Sequence, residues 1–289
     1  MDINTKILVC CHKKDVVVDS LPYFPIHVGK AKNNVDLGMI GDDTGDNISD
    51  KNGSYCELTG LYWAWRNLRG TDIVGLCHYR RYFDFHNQCN RVLPQQMFPT
   101  NDISKLDFSV PEGVVRKVAE GAVCVANPVI FPYSLQLDYC ERHYSEDFRI
   151  MERIVKQKQP EKIKRAFYEV MLCENYMFPC NMFLMRWIDF DNYCSWLFPL
   201  LYDFEKATDI SSYSTLQKRI YGFMAERLFN VWLRSNNKNI FHEPVIMLSD
   251  GADGLKKITP VRFRTKKLMW KLANMLVRKK TYDRWISES

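Results

Sequence analysis

Five short apolar runs, separated by stretches with helical spacing, limit the fold more than any other feature of this sequence. They are KILVCCH (Lys6 to His12), DIVGLCHYRR (Asp72 to Arg81), GAVCVANPVIF (Gly121 to Phe131), PCNMFLMRW (Pro179 to Trp187) and EPVIML (Glu243 to Leu248). KILVCCH leaves no room for a helix, and a continuous apolar run of that length reads as a strand covered on both faces. Between the runs, Ser54 and Glu57 form a Ser-x-x-Glu capping box ahead of Leu58, Leu61, Trp65 and Leu68, with Gly70 as the stop. Residues 134–172 read as helical with a break at Pro160, and DFDNYCSWLFPLLYDFEKA and STLQKRIYGFMAERLFNVWLRS as amphipathic helices. Strands alternating with helices predict an α/β domain with a mostly parallel central sheet flanked by helices. The polar segment from Asp84 to Pro111 is expected to be irregular.

Charge divides the chain in two. From Leu255 to Ser289 eleven Lys and Arg face only Asp283 and Glu288, an excess of nine cations. With +6 for the whole chain, residues 1–254 carry −3. The basic character belongs to a tail, residues 255–289, and a nucleic-acid groove across the body is not expected. In TKKLMWKLANMLVRKK the residues Leu268, Leu272, Met275 and Leu276 form an apolar stripe, with Trp270 beside it and cations flanking. Such a basic amphipathic helix suits an anionic membrane surface, here through residues 256–284; a helix packed on its own domain is the alternative. No uncharged run reaches the ~20 residues that span a bilayer, and Met1 to Lys6 is polar, unlike a signal peptide. The expectation is a cytoplasmic protein whose ten cysteines, none spaced Cys-x-x-Cys, are reduced and pack as small hydrophobes.

Three stretches can carry chemistry. The glycine signatures of dinucleotide and P-loop sites are missing, so attention falls first on DDTGDN, where Asp42, Asp43, Asp46 and Asn47 crowd three carboxylates into five residues. Either this is an Asp/Gly turn feeding a helix, or it accepts hydrogen bonds from a sugar or ribose or holds a metal. Next, His78, Arg80 and Arg81 end a buried strand with groups that match phosphate oxygens. Strand alternation would send the two arginines to opposite faces, one to a ligand and the other to a carboxylate. Last, Asn181 opens a buried strand, and Glu226 sits on a mostly apolar helix, either in a solvated pair with Arg227 or as a working carboxylate. Glu174 competes with it.

DDTGDNIS, NGSYCELTGLYWAWRN, GLCHYRRYF, ENYMFPCNMF and GFMAERLFNVWL together resemble a family of bacterial glycosyltransferases of capsular, exopolysaccharide and O-antigen synthesis, long labelled a domain of unknown function and including galactofuranosyltransferases. The resemblance spans about residues 5–248 and implies a GT-A-like nucleotide-sugar transferase fold over residues 1–254. It implies transfer, by inversion, of a sugar such as galactofuranose from a UDP-sugar to a polyprenyl-diphosphate-linked glycan at the inner face of the cell membrane. GT-A enzymes place an Asp-x-Asp, which binds a divalent metal, where this chain has His78-Tyr79-Arg80. The implied donor contacts are therefore Asp42, Asp43, Asp46, Asn47, His78, Arg80 and Arg81, with Asn181 near the sugar or acceptor. Glu226 is the implied base and Glu174 the second choice. Two alternatives stay open: a transferase using Mn2+ or Mg2+ at the Asp42 to Asp46 loop, and a non-catalytic glycan- or membrane-binding module.

Overall fold

The computed structural model of the protein describes residues 3–91, 93–251, 265, 268, 269, 272 and 281–288. In chain order the strands are β1 (Thr5–Cys11), β2 (Tyr23–His27), β3 (Ile40–Gly41), β4 (Ile73–His78), β5 (Arg81–Phe83), β6 (Gln95–Pro99), β7 (Val123–Ala126), β8 (Val129–Ile130), β9 (Tyr176–Met177), β10 (Phe183–Arg186), β11 (Ile240–Glu243) and β12 (Val245–Ser249). The helices are α1 (Asn52–Tyr55), α2 (Leu58–Asn67), α3 (Glu112–Ala119), α4 (Leu135–Arg142), α5 (Ser145–Lys158), α6 (Glu161–Phe167), α7 (Trp187–Ala207) and α8 (Ile220–Ser235).

The central sheet runs β11-β7-β10-β4-β1-β2-β3. An inner strand, β1, pairs in parallel with both β4 and β2, while β10 runs antiparallel between β4 and β7. The α/β architecture with a largely parallel sheet and flanking helices is as expected. Side chains of β1 alternate between two cores: Leu8 and Cys10 pack under the α2, α7 and α8 side, and Ile7, Val9 and Cys11 pack on the face that also holds Tyr82, Phe83 and Val245. In β4, Val74 and Leu76 join the first core and Ile73 and Cys77 the second. Both faces are covered, which is why the strands read as unbroken apolar runs. All ten cysteines are free thiols, six of them buried.

Several local expectations give way. DIVGLCHYRR is a strand and a reversal: β4 stops at His78, Tyr79 and Arg80 turn, and Arg81 pairs back against His78 as the first residue of β5. The capping box does not form, because Cys56 adopts a left-handed φ of 55° and splits the helix into α1 and α2. Ser54 instead donates to the Lys51 carbonyl at 3.2 Å, and Glu57 points elsewhere. The segment taken as irregular contains β6, parallel to β12, and β2 forms at Tyr23–His27, outside the five apolar runs.

Of the apolar stripe in the tail, Leu268 and Leu272 are exposed, and Trp270, Met275 and Leu276 lie outside the described residues. The C-terminal helix, Tyr282–Ser287, packs on the body. Trp285 is buried there, stacks on Phe167 with centroids 6.1 Å apart, and donates its indole N–H to Glu152 at 2.6 Å.

Candidate active site

Three parallel strands finish on one edge of the sheet: β1 at Cys11, β2 at His27 and β4 at His78, with Cys11 level with His27 and Cys10 level with His78. Such an edge is where open α/β sheets bind ligands. The reversal after β4, rather than alternation along one strand, parts the two arginines. Arg80 turns away, its Nε donating to Asp15 at 2.8 Å and a terminal nitrogen to Asp250 at 2.6 Å. Arg81 turns inward. Its Nε is buried without a hydrogen-bond partner, and its charge acts on His78, Cys180 and Glu226.

Facing them is the short loop that leads into β10. Cys180 and Asn181 both hold left-handed backbone, with φ of 68° and 51°, a conformation that asparagine tolerates better than most residues. Its effect is to aim both peptide groups of Cys180 into the site. The Cys180 N–H donates to Glu226 Oε1, and its carbonyl lies 2.8 Å from His78 Nε2. A carbonyl only accepts, so Nε2 carries the proton and Nδ1 keeps a free lone pair. Glu226 reaches this loop from α8 because Gly222, one turn earlier, lets the helix approach the α1–α2 break. A Cβ at that glycine would sit 3.1 Å from Cys56 Sγ. From the same break Glu57 Oε1 accepts from Asn181 Nδ2 at 2.8 Å.

Electrostatics sharpen the arrangement. Burial lowers His78 below the usual 6.5, and Arg81 adds to the effect against Glu57, so the imidazole is neutral at physiological pH. Glu226 keeps some exposed surface, yet its enclosed carboxyl is pushed above the usual 4.5 by desolvation, with Glu57 adding and Arg227, the Cys180 N–H and Arg81 opposing. A carboxyl lifted towards neutrality beside a cation and a neutral imidazole can exchange a proton with a hydroxyl. At the rim, Arg219 Nε lies 3.2 Å from Cys56 Sγ, and its charge acts on Glu57 and Glu226. Next to it a groove is lined by Lys32, Lys51, Ser54 and Lys218.

Of the residues singled out from sequence, His78, Arg81, Asn181 and Glu226 come together and the others do not. Asp42 is buried, and its carboxylate accepts from the backbone N–H of Gly29 at 3.0 Å, from that of Lys30 at 3.1 Å and from Ser49 Oγ. Asp46 is bound by Arg66 at 2.6 Å and Tyr62 at 3.1 Å. Asn47 accepts from the Ser49 N–H at 3.1 Å, while Asp43 is exposed. These carboxylates diverge, and among the described residues no group of three or more His, Cys, Asp or Glu gathers as a metal site would need; the loop does not fit a metal. Arg80 is held outside by its two carboxylates. Glu174 is bound by Arg234 at 2.8 Å, two turns beyond Glu226 on α8. Arg227 is no solvated partner of Glu226: it is buried and ion-paired with Asp138 at 2.7 Å, where breaking the pair would strand a charge at a cost of several kcal/mol.

Sequence reasoning missed Glu57, Cys180 and Arg219. Glu57 looked like a helix cap, and nothing local signals a left-handed pair at Cys180 and Asn181. Arg219 stands about two turns before Glu226, a spacing that could have linked them.

Comparison with known proteins agrees with the fold. Residues 6–238 match the family described as a domain of unknown function, DUF4422. No curated protein matches the chain. Among solved structures the chain is similar to the apo form of the bifunctional glycosyltransferase WbbM, at 29% identity with a TM-score of 0.77, over 85% of this chain and 45% of that one. The chain thus spans just under half the length of that protein.

Proposed function

This chain belongs to the DUF4422 family, and from that premise we propose that it is a glycosyltransferase whose active site is the cluster of His78, Arg81, Asn181 and Glu226. One observation carries the reading. At the carboxyl edge of the parallel strands, a buried guanidinium nitrogen without a partner stands among the same few side chains as a carboxyl lifted above its ordinary range. Similarity to a glycosyltransferase over 85% of the chain gives that pair of groups a task.

The donor is a nucleoside-diphosphate sugar, and a UDP-sugar carrying galactofuranose is the specific candidate. Arg81, with the neutral His78 beside it, meets the charge that develops on the leaving diphosphate. Glu226 takes the proton from the attacking hydroxyl as that oxygen bonds to the anomeric carbon and the bond to the diphosphate breaks, an inverting displacement. Asn181 lies against the sugar or the acceptor. In the Asp42 to Asp46 loop the exposed Asp43 is the carboxylate left to meet the donor.

Binding is the first test. In a thermal-shift screen of nucleotide sugars with and without manganese, at least one should raise the melting temperature, by an amount that grows with its concentration over Kd. The same compound should be consumed when a glycan acceptor is added. A chain whose melting temperature no nucleotide sugar moves, and that transfers and hydrolyses none, would overturn the reading.

The acceptor proposed is a polyprenyl-diphosphate-linked glycan, met at the inner face of the membrane. No helix among the described residues is long and apolar enough to cross a bilayer, so the contact would be peripheral. It draws on the basic tail and the exposed Leu268, Met269 and Leu272. The protein should co-sediment with vesicles of anionic phospholipid in low salt and release in high salt, each cation near the surface contributing at most ~1 kcal/mol. Equal binding to uncharged vesicles would remove the electrostatic part of this proposal.

A further inference from the structure

Asn181 is 2% exposed, and its two amide atoms have unequal fates. Nδ2 donates to Glu57 Oε1 at 2.8 Å, whereas Oδ1 is buried and has no partner. A terminal carboxamide has no preferred orientation of its own, since its oxygen and nitrogen are nearly the same size. Something must therefore decide which atom faces the ligand. Glu57 decides it: its Oε1 is the acceptor that faces the amide, so the nitrogen turns towards it and the oxygen turns away. The backbone reinforces the choice. Asn181 follows Cys180, whose N–H and carbonyl are committed to Glu226 and His78, so the side chain leaves a loop fixed on both sides.

A buried carbonyl oxygen without a donor costs roughly the desolvation of an unmade hydrogen bond, and buried polar atoms rarely remain so when the site is filled. The sheet edge around it already supplies a cation for phosphate and a carboxyl for proton transfer. What it lacks is a donor for this oxygen. Building on the nucleotide-sugar reading, we propose that Asn181 Oδ1 accepts the hydrogen of a hydroxyl on the donor's sugar, and that Glu57 is the positioning residue that keeps the amide in the accepting orientation. The site would then discriminate between sugars by a hydroxyl that must be present. A buried acceptor left unpaired by a deoxy sugar costs more than a lost surface contact.

The pair can be inverted without changing its charge. In Asn181→Asp a second carboxylate faces Glu57 across a former 2.8 Å hydrogen bond, and the two repel. Aspartate accepts left-handed backbone as asparagine does, which spares the loop. In Glu57→Gln combined with Asn181→Asp, the glutamine amide donates to one aspartate oxygen and leaves the other facing the ligand as an acceptor. Affinities should be measured for UDP, GDP and dTDP, and for UDP-galactofuranose, UDP-galactose, UDP-glucose, GDP-mannose and dTDP-glucose, using the sugar nucleotide that the unmodified protein binds best and its parent diphosphate. The affinity gained from the sugar should fall roughly tenfold in Asn181→Asp at pH 8 and return to within about threefold of the unmodified protein in the double variant, with diphosphate affinity little changed throughout.

A double variant no better than Asn181→Asp overturns the pairing. Equal losses for diphosphate and sugar nucleotide, or no loss for either, overturn the sugar contact and leave the transferase reading standing. If the unmodified protein binds none of these compounds, the transferase reading fails and this assignment falls with it. Should Asn181→Asp alone not fold, the charge-balanced double variant decides the matter by whether it retains the sugar's share of the affinity.

Discussion

Replacing Arg81 by alanine should lower kcat/KM for the nucleotide sugar by about 10²- to 10³-fold, the usual cost of removing one preorganised group from a developing anion, and should leave the folded protein no less stable. The two halves of this expectation share a cause. The Arg81 Nε is buried without a partner, so that nitrogen contributes no hydrogen bond to the fold and has lost its water. Removing it relieves that cost while taking the charge from the site. Arg80, its neighbour in sequence, should behave in the opposite way. It is held by Asp15 and Asp250, so Arg80→Ala should change donor affinity by no more than a few fold but lower stability by about 1 to 3 kcal/mol, because the largely buried Asp15 carboxylate would lose its partner. Steady-state kinetics and urea melts on the two variants decide it. Equal losses of activity, or the larger loss at Arg80, would show that the phosphate is not held at Arg81.

The contrast between the two arginines marks how far the sequence could be read. Alternation along a strand predicted that the two would part, one of them to a carboxylate, and they do part, but by a reversal that leaves Arg80 in the turn and Arg81 at the start of β5. The period of two could not say which of them pairs with a carboxylate, because that depends on Asp15 and Asp250, lying 65 residues before and 170 residues after Arg80. The core strands were legible because two-sided burial leaves a continuous apolar signature. The edge strand β6, QQMFP, carries none, since its ends meet solvent and none of its residues is fully buried. The acidic loop misled for a physical reason. Three carboxylates in five residues can serve a ligand or can satisfy backbone N–H groups of a tight turn, and Asp42 does the second, holding Gly29, with its left-handed φ of 73°, and Lys30. Glu57 was hidden by the opposite error. Its spacing from Ser54 fits a cap, yet the left-handed Cys56 between them redirects it 124 residues along the chain to Asn181.

The other large effect expected is at Glu226. Glutamine there keeps an oxygen for the Cys180 N–H and removes the titrating group, so Glu226→Gln should fold normally and lose about 10²- to 10⁴-fold in kcat, the range that general bases contribute. The pH dependence follows from the direction of the shift. Desolvation raises the folded carboxyl above 4.5, and a base works only when deprotonated, so the unmodified enzyme should gain activity as pH rises through that elevated value. The glutamine variant should lose this acid limb. Stability must move the other way. A carboxyl whose folded pKa is raised binds its proton more tightly folded than unfolded; its stabilisation is complete below 4.5 and is lost as pH climbs through the folded value. The stability of Glu226→Gln relative to the parent should therefore improve as pH rises from 4.5 through the folded value and then level off, while its activity falls furthest behind. Urea melts and initial rates across that range test both slopes together. Were the variant to keep the parent's acid limb, another group would be the base, and Glu57, across Asn181 from it, is the next carboxylate to replace.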